Sequence, residues 1–377
     1  VASTAALLAD PATQRLLAVL PTARLVGGCV RDALAGLPPV DIDLATPDHP
    51  ETVAAALVAA GIRAIPTGIA HGTITAMLGG RPYEVTTLRR DVATDGRHAE
   101  VAWTDDWQED AARRDFTINA LSLSPDGALH DYFGGADDLR AGRVRFVGSA
   151  AERVAEDYLR ILRFFRFQAR YGTGEPEPAA LAAIRTGLPG IGRLSVERIW
   201  MELKRILQAP DPSAALRLMA DNGVLAATIP EGADPAGATG LPPDPLLRLA
   251  GLLTGDRIAF ATRLKLSAAE ADRLVALAGP PPHGGDADLR RQLADIPADI
   301  LIGRSHLARQ PQAIRDRLAA MPRPVFPLEG RDVVALGIPP GPAVGELLRR
   351  SRHWWLAGGC LADPTACRAE LARLATA

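Results

Sequence analysis

Every β-like run in this 377-residue chain falls before residue 148. ARLVGG, VDIDLAT, TITAML, YEVTTL, INALSLS, LHDYF and RVRFVG lie between about 23 and 147, with few helices among them. Helices are expected over 1–20, closed by Pro21, directly after the double glycine (VRDALAG), and over about 50–60. After Gly148 the period becomes helical. Residues 150–171 and 195–208 read as long helices, the second starting at Ser195 with Glu197 and Arg198 in its first turn. From 211 onward the chain is Ala/Leu/Arg-rich helix with Pro/Gly breaks at 230–245, 279–286 and 322–341, and no repeat of fixed period. The expected fold class is α+β: a head on a mixed sheet, then an all-α extension of more than 200 residues.

Composition narrows the function. With 47% apolar residues the chain has ample material for real cores. A net charge of −2 excludes a globally basic protein, so any nucleic-acid surface must be a local patch. No apolar stretch approaches the roughly 18 residues of a membrane span, and the N-terminal segment lacks a signal-peptide pattern. Cys29, Cys360 and Cys367 form neither a disulfide framework nor a metal spacing, which fits a reducing cytoplasm. The basic residues are nearly all arginine; Lys204 and Lys265 are the lysines.

Two short motifs carry chemistry. Asp41 and Asp43 stand two apart in a strand-like run, so both carboxylates are expected on one face. Two close anions are costly unless a cation sits between them, and Mg²⁺ suits an all-oxygen site. Phosphoryl-transfer enzymes use such carboxylates to hold two metals ~4 Å apart. Gly27 and Gly28 end the preceding strand and open a helix, which presents backbone N–H groups as a phosphate cradle, with Arg31 on its first turn to add a charge-assisted contact. Glycine pair, Arg-Asp and D-x-D in this order point to nucleotidyl transfer. The His130-Asp131 pair suggests a metal phosphohydrolase, but no other histidine supports it; His71 and His98 read as turn and loop residues.

GGCVRD followed by DIDLAT resembles the active-site motif of the class II tRNA nucleotidyltransferase and bacterial poly(A) polymerase family, within the polymerase-beta-like superfamily. RRDFTINA (113–120), HDYFGGADDLRAGRVR (130–145), EDYLRILRFFRF (156–167) and SVERIWMEL (195–203) resemble its later motifs, so ordered matches span about 25–205. The resemblance implies a nucleotidyltransferase head (1–147), a helical neck that recognises the base (148–208), and a tRNA-binding helical body (209–310) and tail (311–377) in an elongated arrangement. It implies catalysis by Asp41 and Asp43, which also bind the metal, with Glu84 as either a third acidic group or a structural partner. Gly27, Gly28, Arg31, Arg113 or Arg114, and Asn119 are implied for nucleotide binding. Asp115 is either a further carboxylate or a partner that orients those arginines, and the second reading is preferred.

Asp157, Arg160, Arg163 and Arg166 recur every three residues in an apolar helix, a spacing that drifts into a short spiral stripe. A carboxylate accepts from the exocyclic amine that C and A carry, and an arginine fork donates to the ring acceptors beside it. Asp157 with Arg160 would thus select CTP and ATP without a template, as the resemblance implies; Arg163 and Arg166 would face the triphosphate or support the pocket. The plainer alternative is an exposed Asp157–Arg160 ion pair worth a few tenths of a kcal/mol. Residues 89–107 correspond to the family's flexible loop, intact here, which favours complete CCA addition. In ELLRRSRHWWLAGG (346–359), Trp354 and Trp355 are expected to be buried on an amphipathic helix rather than stacked on bases.

The expected activity is addition of C, C and A to tRNA from CTP and ATP, with Mg²⁺ and with contacts to the acceptor stem and T-arm. No membrane or protein partner is expected. The rival readings are a poly(A) polymerase, a CC-only or A-only enzyme, and an RNA-binding module without catalysis.

Overall fold

The head strands are β1 (Arg24–Val26), β2 (Asp43–Thr46), β3 (Arg63–Gly68), β4 (Thr73–Leu78), β5 (Arg81–Thr87), β6 (Arg89–Thr94), β7 (Ala99–Trp103), β8 (Leu121–Leu123) and β9 (Leu129–Asp131). Seven of them form one mixed sheet in the order β3-β4-β5-β2-β1-β8-β9; β6 and β7 pair separately. The coordinates are a computed structural model that describes residues 3–69, 72–94 and 99–376. His71 and His98 lie outside the described residues.

The sheet has one apolar face. Leu25, Leu44, Ile74, Val85, Leu121 and Leu123 pack there against Leu16 and Leu17 of the helix Pro11–Val19 and Val53 and Leu57 of the helix Pro50–Ala59. Because strand side chains alternate, burying Leu44 sends Asp43 and Ala45 to the other face, where Ala45 joins Val26 and Leu88. β2 pairs antiparallel with β1 and parallel with β5, which puts Asp43 opposite Glu84. Asp41 precedes β2 in a bend, so the strand holds one aspartate rather than two.

The first helical expectations divide at capping residues. Residues 3–20 hold two helices, Thr4–Ala9 and Pro11–Val19, because Asp10 accepts from the Thr13 amide (2.9 Å) and Pro11 starts the second. The stretch 150–171 also splits, into Ala150–Glu156 and Leu159–Tyr171. Asp157 is extended between them, and its Oδ1 accepts from the Leu159 amide (3.0 Å). The helix Val196–Leu207 starts at Ser195, whose Oγ accepts from the Arg198 amide (3.4 Å). RVRFVG forms no strand; Phe146 makes an isolated bridge to Phe116. Segments 89–94 and 99–103, read from sequence as a polar loop, pair as β6 and β7.

An aromatic cluster fixes the helix Leu159–Tyr171 to the head. Phe116 lies 4.8 Å from Phe146 and 5.2 Å from Phe167 between ring centroids, and Phe146 stacks on Phe164 at 5.9 Å. Phe116, Phe146 and Phe164 are fully buried, and aromatic pairs add ~1 kcal/mol each beyond burial.

The chain divides into two compact units, Val1–Pro230 and Glu231–Ala377. Among its described residues the second is helical, with separate small cores. Trp355 is buried in one of them, donating to the Ala362 carbonyl (3.2 Å) and tilted against Phe326, whereas Trp354 is 37% exposed. One of the two tryptophans therefore follows the burial expectation.

Candidate active site

A cleft of about 460 Å³ in the first unit is lined by five of the residues singled out by sequence, Gly28, Arg31, Asp41, Asp43 and Arg166; Gly27, Glu84, Arg113, Arg114, Asn119, Asp157, Arg160 and Arg163 are not among its lining residues. The head contributes Gly28, Arg31, Asp32, Asp41 and Asp43; the helices Leu159–Tyr171 and Val196–Leu207 contribute Arg166, Phe167, Arg170, Tyr171 and Arg205.

Gly27 adopts φ +69°, and a Cβ there would come within 2.7 Å of the Arg114 guanidinium. The backbone requires glycine at the turn from β1 into the helix Gly28–Leu34, and the Arg114 guanidinium fills the space a side chain would take. The Gly27 amide is spent on the Leu121 carbonyl (3.0 Å), so the glycine that lines the cleft is Gly28.

The acidic group is electrostatically frustrated. Asp43 has its carboxyl pushed up to about 6, first by burial and then by the negative charges of Glu84 and Asp41; Arg114 opposes the rise. Glu84 is exposed on β5 beside it. Like charges gathered around a part-buried carboxylate are costly unless a cation offsets them. Among the described residues no three His, Cys, Asp or Glu side chains make a metal site by themselves. The two aspartates offer a partial oxygen set, which suits an ion completed by substrate phosphates and water.

Arg31 is 9% exposed and already committed. It donates to Asp32 Oδ1 from Nε (3.0 Å) and Nη2 (2.8 Å) and to Asn119 Oδ1 from Nη1. Its guanidinium lies 4.7 Å from the Tyr171 ring and 5.1 Å from the Phe167 ring. The Tyr171 hydroxyl donates to Asp32 (2.5 Å). The sequence placed Arg31 for a phosphate, and the structure shows what holds it.

Arg113 and Arg114 separate in role. Arg113 pairs with Asp110 (2.9 Å); Arg114 reaches Asp110 less closely (3.4 Å), donates to the Asn119 carbonyl (3.2 Å), and lies against Gly27 within the field of Asp43. Asp115 orients neither of them. It accepts from Arg163 (2.6 Å to Nε), Asn119 (2.9 Å) and its neighbour's amide (2.9 Å). Burial pushes the Asp115 carboxyl up, but Arg163, Asn119 and the Phe116 amide together outweigh it and hold it below the ordinary value.

The helical stripe emerges as a spiral of half-buried groups between buried apolar ones. The plain Asp157–Arg160 ion pair does not form. Arg160 donates to Glu156 and to the Arg153 carbonyl (2.9 Å), and Asp157 accepts from Arg198 (2.8 Å). Arg166 pairs with the fully buried Glu202 (3.0 Å) and lies 4.5 Å from the Phe167 ring. Asp32, Tyr171, Arg198 and Glu202 escaped the sequence reading as site residues. Asp32, Arg198 and Glu202 sit inside quoted motifs, GGCVRD and SVERIWMEL, so the motif matches were the available signal, whereas Tyr171 lies outside all of them. His130 and Asp131 make no metal site: His130 contacts Ser124, and Asp131 accepts the amides of Phe133, Gly135 and Ala136 at the start of the helix Gly135–Arg140.

A mixed sheet carrying an acidic pair beside a glycine turn, closed by an arginine-bearing helix, defines a nucleotidyltransferase of the polymerase-beta type. Residues 23–145 match the family model described as the poly A polymerase head domain, and 175–234 match the one described as a probable RNA and SrmB-binding site of polymerase A. The CCA tRNA nucleotidyltransferase 1, mitochondrial, of Danio rerio is 39% identical over 375 residues, covering 88% of this chain and 83% of the relative; that of Homo sapiens is 38% identical, covering 89% and 83%. The Bacillus stearothermophilus CCA-adding enzyme in complex with CTP superposes with a TM-score of 0.77 at 27% identity, covering 97% of this chain and 98% of that one. The chain belongs to the CCA tRNA nucleotidyltransferase family. Among the described residues no helix is long and apolar enough to cross a membrane.

Proposed function

We propose that this protein adds the 3′-terminal C, C and A to tRNA from CTP and ATP without a template, releasing pyrophosphate. The observation that carries the proposal is the cleft in which the acidic pair meets Arg166, Arg170 and Tyr171 on the C-terminal half of the helix Leu159–Tyr171, whose first turn follows Asp157. The tRNA 3′-hydroxyl oxygen gives its proton to solvent and forms a bond to the α-phosphorus, the bond from that phosphorus to the α–β bridging oxygen breaks, and its electrons leave with pyrophosphate. Asp41 and Asp43 would hold Mg²⁺, with Glu84 beside them as a third acidic charge. Bound there, the ion supplies Lewis acidity to the attacking hydroxyl and the phosphate oxygens.

The protein's own groups do the positioning. Gly28 offers the helix start to the triphosphate, and Arg31, Arg114 and Asn119 surround it, Asn119 acting by fixing Arg31. Arg113 braces Asp110 behind them. Asp157 reads the exocyclic amine and Arg160 the ring acceptors. Their present partners leave this capacity intact: a carboxylate has about four acceptor sites and a guanidinium five donors. Arg163 and Arg166 support the pocket through Asp115 and Glu202. The body and tail, 209–310 and 311–377, hold the acceptor stem and T-arm through phosphate contacts. A reducing, cytoplasmic setting is part of the proposal, supported by three free thiols.

The test is incubation with tRNA lacking its 3′ end, Mg²⁺, and CTP and ATP separately and together. Addition of C, C and A supports the proposal. Long A tails with ATP alone would replace it with polyadenylation, addition that halts after CC or requires a CC end would leave a partial enzyme, and no incorporation would leave an RNA-binding module.

A further inference from the structure

The head side of the cleft collects carboxylates, and the helical side collects guanidinium groups. Arg166, Arg170 and Arg205 line it together, yet among the described residues the carboxylate ion-paired with the first and last of them is Glu202, fully buried, at 3.0 Å from Arg166 and 3.5 Å from Arg205. Three cations against one anion give the helical wall an excess of two positive charges, facing the carboxylates of the head across the cleft. Among the described residues Arg170 is bonded to no carboxylate; it is exposed, in the last turn of its helix, with its guanidinium 5.7 Å from the Tyr171 ring. Arg205 keeps 47% of its side chain open to solvent. Arg166 and Arg170 are four apart, so they share a helix face, and the helix Val196–Leu207 packs beside them with Arg205. The cluster is strained as well: Arg166 is pushed down to about 10, first by burial and, against the pull of Glu202, by the charges of Arg163 and Arg205.

We infer that Arg170 and Arg205, with Arg166 and Glu202 behind them, form a phosphate-binding wall on the helical side of the cleft, beyond the glycine turn and outside the residues that read the base. The inference rests on the proposed nucleotidyl transfer and extends its phosphate contacts to two further residues. The chemistry is that of a phosphate oxyanion gripped by guanidinium forks. Glu202 positions the wall by anchoring Arg166 and Arg205, and leaves Arg170 and the outer donors of Arg205 for the ligand. The oxyanion comes either from the nucleotide polyphosphate or from the phosphodiesters of the RNA 3′ strand, both of which must reach Asp41 and Asp43.

The test compares the wild type with the double variant Arg170→Gln/Arg205→Gln and its conservative counterpart Arg170→Lys/Arg205→Lys. Equilibrium binding is measured for inorganic triphosphate and for tRNA lacking its 3′ end, alongside KM and kcat for CTP and ATP. The glutamine pair should weaken one of the two probes at least about tenfold. Lysine should restore much of the loss, and the preference for CTP and ATP over UTP and GTP should stay unchanged. Loss on triphosphate, with equal rises in KM for CTP and ATP, assigns the wall to the polyphosphate. Loss on tRNA, with a shallower salt dependence, assigns it to the RNA strand. Both probes bound within twofold of wild type would overturn the inference. Failure of the functional proposal is separately visible, as wild-type protein that binds these probes but incorporates neither C nor A.

Discussion

Asp43 and Glu84 are register partners in β2 and β5, the one parallel pairing in the sheet among the described residues. Asp41 adds its charge from the bend before β2, and Asp43 is raised to about 6 by burial and by these two neighbours. At pH 7 an ionised Asp43 therefore opposes folding. Asp43→Asn should be more stable than the wild type in chelator, by roughly 1–2 kcal/mol after allowance for solvent screening, while losing nucleotide incorporation. Mg²⁺ should raise the melting temperature of the wild type and leave that of the variant unmoved. Thermal melts with and without the ion check this; a variant less stable than wild type in chelator would sink the repulsion argument.

The two glycines should fail differently. Gly27→Ala meets a positive φ and the Arg114 guanidinium at 2.7 Å. The guanidinium can swing aside, so the stability loss is set by the backbone, about 3 kcal/mol because φ +69° with ψ −121° lies outside the left-handed helical well, but Arg114 is displaced from the neighbourhood of Asp43. Gly28→Ala places its Cβ 3.6 Å from Arg31, an ordinary contact, on a helical residue. Its stability should barely change, while KM for both nucleotides rises because the methyl group stands where phosphate approaches. Melting curves and steady-state kinetics on the two variants separate these effects.

Asp115 gives the pH prediction. Its carboxyl is held below the ordinary value, mainly by Arg163 against the cost of burial. A depressed native pKa adds stability above the unfolded value of about 4 and loses it as pH falls through the native value. Asp115→Asn should therefore cost about 2 kcal/mol at pH 7, less than a fully buried pair because the Arg163 side chain is 31% exposed. The gap to wild type should close below about pH 4. Denaturant melts across pH test this, and a gap independent of pH would assign the loss to packing instead.

How much of this was legible depended on how local each determinant is. The glycine turn, the D-x-D and the arginine stripe are readable because residues at fixed short spacing share a face or a turn. The antiparallel β6–β7 pair was read as a loop because its residues are polar and no apolar alternation marks the strands. The break at Asp157 was missed because a side chain capping the Leu159 amide leaves the surrounding apolar period unchanged. The partner of Asp115 was misassigned for a different reason. Arg163 is 48 residues away, and the adjacent arginines were the candidates that spacing offered. Ion pairs set by tertiary packing leave no periodic trace, so Glu202 beneath Arg166 was equally invisible.

Asp157 and Arg198 give the most discriminating prediction. The carboxylate takes the Leu159 amide on one oxygen and Arg198 on the other, at 3.0 and 2.8 Å, so its plane is fixed from both sides. A base-reading acceptor needs that fixed direction, because discrimination between an exocyclic amine and a carbonyl depends on where the lone pairs point. Asp157→Ala should lower the preference for CTP and ATP over UTP and GTP by at least about tenfold, with incorporation retained at high nucleotide. Arg198→Ala leaves the carboxylate in place but releases one side, and should blur selection by a smaller factor. If Arg198 acts through Asp157, the double variant should be no worse than Asp157→Ala alone. Additive losses would mean that Arg198 touches the nucleotide itself. Unchanged selectivity in Asp157→Ala would remove the residue from base reading and return the motif to a structural role.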